Sequence, residues 1–431
     1  MTLKTVLAAA TATVALGAAF AGAPATAQEK ISVGHLADYS GATSDVGVPF
    51  GQGVADALAY INKQGGVAGR QMAVETYDYG YQVPRAISQY KKWSGRDKVP
   101  AIQGWGTADT EALITFVAKD EIPYFSGSYA GALTDPNGKG ERSEKAAPYN
   151  FFYGPSYSDG LRAMLMWAAK DWKAKGGQGA PKYVHMGANH PYPNAPKAAG
   201  EELAKQLGFE VLPAIQFALT PGDYTAQCLT LKTSGANYAY LGNTAGSNIS
   251  VLKACETVGA SVQFLGNVWG MDENAAKAAG KAADGVVFPL RTGVTFSESA
   301  PGMQLVQEIS KVTDAAGTAY RPVHYLAGIC SAYYMKESME WAAKNGGITG
   351  PNIKKGMYQK KDWVPAGLEG VCFPSSWTAE DHRGTTTVAL YRAKVSGPTE
   401  APVSELVKSG AIKLEKVDTV QLERKPEWLG W

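Results

Sequence analysis

Beyond residue 30 the apolar positions alternate between short runs and helical stripes. Ile31–Leu36 reads as a strand closed by the turn cluster Asp38-Tyr39-Ser40-Gly41. Val54, Ala57, Leu58 and Ile61 then recur at helical spacing and predict a helix over Pro49–Lys63. Gly65-Gly66 ends it, because glycine accepts the left-handed backbone of a helix C-cap. The same reading gives strands at Gln71–Tyr77, Pro100–Gln103 and Pro123–Phe125, and helices at Val83–Trp93 and Asp109–Lys119. A Pro-, Gly- and charge-rich stretch, 135–148, breaks the pattern, and it then restarts. Helices are predicted at Asp159–Trp172, Pro196–Leu207, Asp223–Thr233 and Asn248–Val258, and strands at Lys182–Met186, Phe209–Ile215, Tyr238–Leu241 and Gln263–Leu265. Alternating strands and helices predict parallel, doubly wound α/β sheets, and the restart predicts two of them. The chain is expected to cross between lobes near Tyr153–Tyr157 and Pro289–Gly293. Val403–Val407 and Ile412–Leu422 carry helix or strand potential, and segment 396–431 is expected to pack as a tail on one lobe.

Composition agrees with a globular pair of lobes. The chain has 431 residues, 45% hydrophobic and 19% charged, more than one core comfortably holds. Lys plus Arg is 41 against 39 for Asp plus Glu, so neither a basic surplus nor a stripe points to nucleic acid. Residues 1–27 read as a signal peptide: Lys4, the apolar run Val6–Phe20, then Ala25-Thr26-Ala27 as a cleavage pattern. Export to the periplasm is the expectation, without membrane insertion, since no later run reaches about 18 apolar residues. In an oxidising compartment Cys228, Cys255, Cys330 and Cys372 can pair in three ways. Nearest-neighbour bridges are the expectation taken here, with buried free thiols as the alternative. No metal or cofactor motif is present: there is no C-x-x-C, no H-E-x-x-H, no Walker A and no complete G-x-G-x-x-G. A hydrolase elbow is also missing, because Gly127-Ser128-Tyr129-Ala130-Gly131 has the wrong spacing.

Polar and aromatic residues gather just after the predicted strand ends. They are Tyr39 and Ser40, Trp105 and Thr107, Ser126, Ser128 and Tyr129, Tyr192, Asn243 and Thr244, and Asn267 and Trp269. Ligands of open parallel sheets sit outside the carboxyl ends of the strands, so these residues are the candidate binding set. Tyr77, Tyr79 and Tyr81 alternate, and would share one face if their strand continued. Arg291 is read either as a carboxylate partner or as half of a surface ion pair. His324 is read as a structural histidine.

The segment Asn62-Lys63-Gln64-Gly65-Gly66-Val67-Ala68-Gly69-Arg70, with the Asp-Tyr-Ser-Gly turn before it, resembles the periplasmic substrate-binding proteins of branched-chain amino acid-type ABC transporters. The resemblance extends from about Lys30 to Arg392. It implies a type I fold of two lobes joined by a three-segment hinge: 28–155 plus 290–376, and 156–289 plus 377–395. It also implies closure on a small ligand and delivery to ABC permease subunits, by a monomer without a cofactor. The family's ligand contacts fall on Trp105, Thr107, Ser126–Tyr129, Tyr192, Asn243, Thr244 and Asn267–Trp269. Relatives that bind α-amino acids use a second-lobe acid for the ammonium, whereas the matching loop here is Asn267-Val268-Trp269. The aromatic lean favours a small aromatic acid. A branched or polar amino acid or a short amide is the alternative, and a receptor-docking sensor or an exported hydrolase the rival classes.

Overall fold

The computed structural model describes residues 1–2 and 29–431, so the expected signal peptide lies outside the described residues apart from its first two. Two α/β lobes face one another. The first is built on five parallel strands in the order Met72–Asp78, Ile31–Ala37, Ile102–Gln103, Tyr124–Phe125 and Asn150–Phe151. Register runs from Ile31 opposite Met72 to Ala37 opposite Asp78. The second sheet is longer and mixed. Its parallel part runs from Glu210–Val211 through Lys182–Gly187, Tyr238–Leu241 and Gln263–Gly266 to Val287–Leu290. Two antiparallel strands, Thr387–Val395 and Ile412–Gln421, extend it.

Several boundaries moved for local reasons. The single strand expected over Phe209–Ile215 is two, Glu210–Val211 and Ile215–Gln216, each pairing with Lys182–Gly187. Pro213 between them has no N–H to give to a ladder. The first helix begins at Ser44, not Pro49, and carries that proline inside it. It packs along helix Val323–Lys344, and two glycines set the approach. A Cβ on Gly53 would stand 2.1 Å from the Tyr325 carbonyl oxygen, and one on Gly328 would stand 2.1 Å from that of Phe50. Only hydrogen fits at either place.

Three crossovers lie side by side. The first follows strand Asn150–Phe151, the second follows Val287–Leu290, and the third precedes Thr387–Val395. Trp377 of the third donates to the Phe152 carbonyl of the first (3.1 Å), and Thr292 of the second bridges Cys372. Disulfides join Cys228 to Cys255 within the second lobe and Cys330 to Cys372 beside the crossovers. Segment 396–431 is more than a tail. It supplies helix Val403–Ser409, the edge strand Ile412–Gln421, and a final strap over 426–431. The strap meets both lobes: Gly430 N–H donates to Thr134 Oγ1 (3.0 Å), and Arg162 donates to the Trp431 carbonyl (3.2 Å).

Candidate functional site

The carboxyl ends of the two parallel sheets point at each other, and their loops meet. Trp105, just after strand Ile102–Gln103, and Trp269, just after Gln263–Gly266, touch across the cleft with ring centroids 4.7 Å apart. Around them lies a small pocket lined by Thr43, Tyr81, Trp105, Gly106, Thr107, Gly127, Tyr157, Tyr192, Thr244 and Trp269. None of these is acidic. Trp269 is caged: Phe50 meets it edge-on at 5.4 Å, Tyr129 stacks on it at 5.7 Å, and its Nε1–H donates to Tyr157 Oη (3.0 Å). Trp105 donates to Thr43 Oγ1 (2.9 Å), which fixes the opposite wall.

Five residues of the candidate set line this pocket: Trp105, Thr107, Tyr192, Thr244 and Trp269. Others support it from behind. Ser128 shares a hydrogen bond with Thr107 (2.8 Å), and Ser126 donates to the Ser128 carbonyl (2.8 Å). Asn267 Oδ1 accepts from Tyr192 Oη and from the Trp269 N–H, both at 3.0 Å, so it aims two wall residues. Asn243 is spent on backbone, donating to the Ala218 carbonyl (2.8 Å) and accepting from Ala188 N–H (2.9 Å). Tyr39 and Ser40 are not brought to the pocket. Tyr39 lies over Gly51 and donates its N–H to Asp78, while Ser40 is exposed. The three tyrosines do not share a face, because the strand ends at Asp78 and the chain turns left-handed at Gly80 and Tyr81. Tyr81 reaches the pocket, Tyr79 donates to buried Asp109 (2.7 Å), and Tyr77 lies under Arg85. Sequence reasoning missed Thr43, two residues past the Asp38–Gly41 turn cluster, and Tyr157, which it treated only as part of a crossover.

The charges stand outside the lining. Burial pushes Asp109 up to about 7, and it serves the hydroxyls of Tyr79 and Tyr124. Asp45, in the first turn of the first helix, reaches across the cleft. It accepts from Thr244 Oγ1 (3.0 Å) and from the Gly246 N–H at the start of second-lobe helix Ala245–Val258. Desolvation of the carboxyl between the lobes pushes it up to about 6, while the residue as a whole is exposed. The surface ion pair considered for Arg291 is absent among the described residues. The residue is 2% exposed, with its guanidinium 3.8 Å from the Trp269 ring centre. His324 lies buried in helix Val323–Lys344, and burial, then the Arg291 charge, hold its imidazole well below the usual range.

Fold and cleft together define the class: a two-lobed binding protein that clasps a small molecule between facing strand ends. The sequence profile described as "Periplasmic binding protein" matches residues 30–398, and the chain belongs to that family, with the architecture of its type I, branched-chain amino acid transporter-type members. Solved structures share the fold at low identity. An ABC transporter substrate-binding protein from Aeropyrum pernix is 23% identical, with 92% of this chain and 97% of that one covered and a TM-score of 0.75. A branched-chain amino acid ABC transporter protein from Thermus thermophilus, with bound valine, is 21% identical over 89% of this chain and 100% of that one (TM-score 0.75). A fatty acid ABC transporter substrate-binding protein from Thermomonospora curvata is 17% identical over 92% and 93% (TM-score 0.75). No curated protein matches the chain. Family membership makes it a substrate-binding protein of an ABC transporter, working outside the cytoplasm.

Proposed function

We propose that the protein captures a small, planar, carboxylate-bearing compound, with an aromatic acid preferred, and hands it to an ABC permease at the outer face of the membrane. One observation carries this reading. The pocket walls include five aromatic residues, Tyr81, Trp105, Tyr157, Tyr192 and Trp269, and no carboxylate. A flat ring gains stacking area there, while an ammonium group would be buried without a partner at high cost.

The mechanism is hinge closure. Contacts from both lobes favour the shut form in proportion to how much better it holds the guest, and the shut form is what the permease recognises. Export through the N-terminal segment to a periplasm, action as a monomer, and disposition of the lobes about the three crossovers belong to the same proposal. The alternative cargo, a branched-chain or polar amino acid, draws on the valine recorded in the Thermus relative. Calorimetric titration with benzoate and with valine separates the two. Tighter binding of benzoate, with a more compact scattering profile at saturation, is expected; tighter binding of valine overturns the aromatic reading.

A further inference from the structure

Two deeply buried arginines differ in one respect. Arg162 is 1% exposed and has its counter-ion, Asp159, at 2.9 Å. Arg291, at the second crossover, is 2% exposed and has no carboxylate within ion-pair distance among the described residues. A guanidinium carries five N–H donors and stays charged in proteins. Those of Arg291 meet two long contacts, the Val268 carbonyl and His324 Nδ1, at 3.4 and 3.3 Å, and its Nε–H meets nothing. Asp272 stands on the other side of His324, 3.7 Å from Nε2. A buried charge with unmet donors is costly unless something anionic completes it.

The surroundings are equipped for an anion. The hydroxyls of Tyr129 and Tyr153 are buried with no close hydrogen-bond partner among the described residues, as is Thr292 Oγ1. Burial raises both phenols, and the guanidinium opposes the rise in each through its charge and a hydrogen bond, which places both hydroxyls against it. The Trp269 indole, which lines the pocket, lies on the guanidinium at 3.8 Å, and the Tyr129 ring stands 5.2 Å from it. Trp269 and Val268 both belong to the second-lobe loop. If the lobes part there, Arg291 sheds the Trp269 face and the Val268 hydrogen bond and keeps the Tyr129 ring, 5.2 Å from its guanidinium.

Building on the carboxylate reading above, we infer that Arg291 is the anion anchor of the cleft. A carboxylate entering between the lobes takes the guanidinium edge, with the Tyr129 and Tyr153 hydroxyls donating beside it, once the Trp269 indole has turned aside. Thr107 and the Ser126–Ser128 turn, which bond chiefly to one another, then shape the wall and leave the charge to Arg291.

The test uses matched acids and amides: benzoate with benzamide, and cyclohexanecarboxylate with cyclohexanecarboxamide, titrated calorimetrically into the wild type, Arg291→Gln and Arg291→Lys. The wild type is expected to favour each acid over its amide by about 10- to 100-fold, the range for hydrogen bonds to a charged group. In Arg291→Gln that preference falls to near unity while amide affinity holds, and Arg291→Lys retains part of it. Should Arg291→Gln not fold, Tyr129→Phe with Tyr153→Phe is expected to lower the acid preference alone. A wild type with no acid preference, no binding of any probe, or an acid preference surviving Arg291→Gln would each overturn the anchor. An Arg291-dependent acid preference that is equal for both ring types keeps the anchor and defeats the aromatic reading instead.

Discussion

Trp105 and Trp269 act differently although they touch. Trp105 is tied to the first lobe through Thr43, whereas Trp269 arrives from the second lobe and fills an aromatic cage. Trp105 is thus the fixed wall. Trp105→Ala is expected to weaken benzoate by about 1–3 kcal/mol, the value of a desolvated aromatic face, in a calorimetric titration. Unchanged affinity would remove the ring-stacking argument. At this scale the sequence was partly readable. Residues one to three places past a strand end, such as Trp105 and Trp269, stood out because parallel sheets put function there. Tyr157 did not, since its place comes from a crossover whose path depends on both lobes docking, and Arg291 stood out only with a surface ion pair left open beside the carboxylate reading.

Helices were legible from their stripes, and their starts were less so. The stripe Val54, Ala57, Leu58 and Ile61 puts the first helix over Pro49–Lys63, yet the five residues before Pro49 already wind. Those residues matter, since they bring Asp45 to the helix Ala245–Val258 of the other lobe, where an anion is favoured. With the lobes apart, water returns its carboxyl towards the ordinary 3.8; closed, it is pushed up to about 6. Closing therefore takes up a proton between those values, so closure gains as pH falls from about 6 towards 4 and is flat above. Benzamide, which does not titrate there, should bind the wild type more tightly at pH 5 than at pH 7, and Asp45→Asn should lose most of that ratio. Equal ratios in the two proteins would sink the linkage. The glycine contacts make a separate claim. Gly328→Ala forces a methyl onto the Phe50 carbonyl and should cost about 1–3 kcal/mol in denaturant unfolding, the usual penalty of overpacking.

For the whole molecule, two doubly wound sheets were predictable from alternation alone. The antiparallel extension was not, because Ile412–Leu422 alternates too weakly to say which sheet it would join. Its register against Thr387–Val395 shows the answer only once both strands exist. The strap beyond it has mechanical meaning. Trp428 and Trp431 cover Arg162, and Arg142 lies over Trp431 at 3.8 Å. Tyr157 faces the pocket, whereas Ser158, one residue on, lies with Trp431 against Gly131. The strap thus occupies a different side of the first crossover from the guest. Trp428→Ala with Trp431→Ala should give the ligand-free protein a larger maximum dimension in scattering, and an unaltered profile would count against this role.

Six residues bonded at once to Thr134 of one lobe and Arg162 of the other form a tether: if the lobes swing about the crossovers, its slack bounds how far the cleft can gape before a guest arrives.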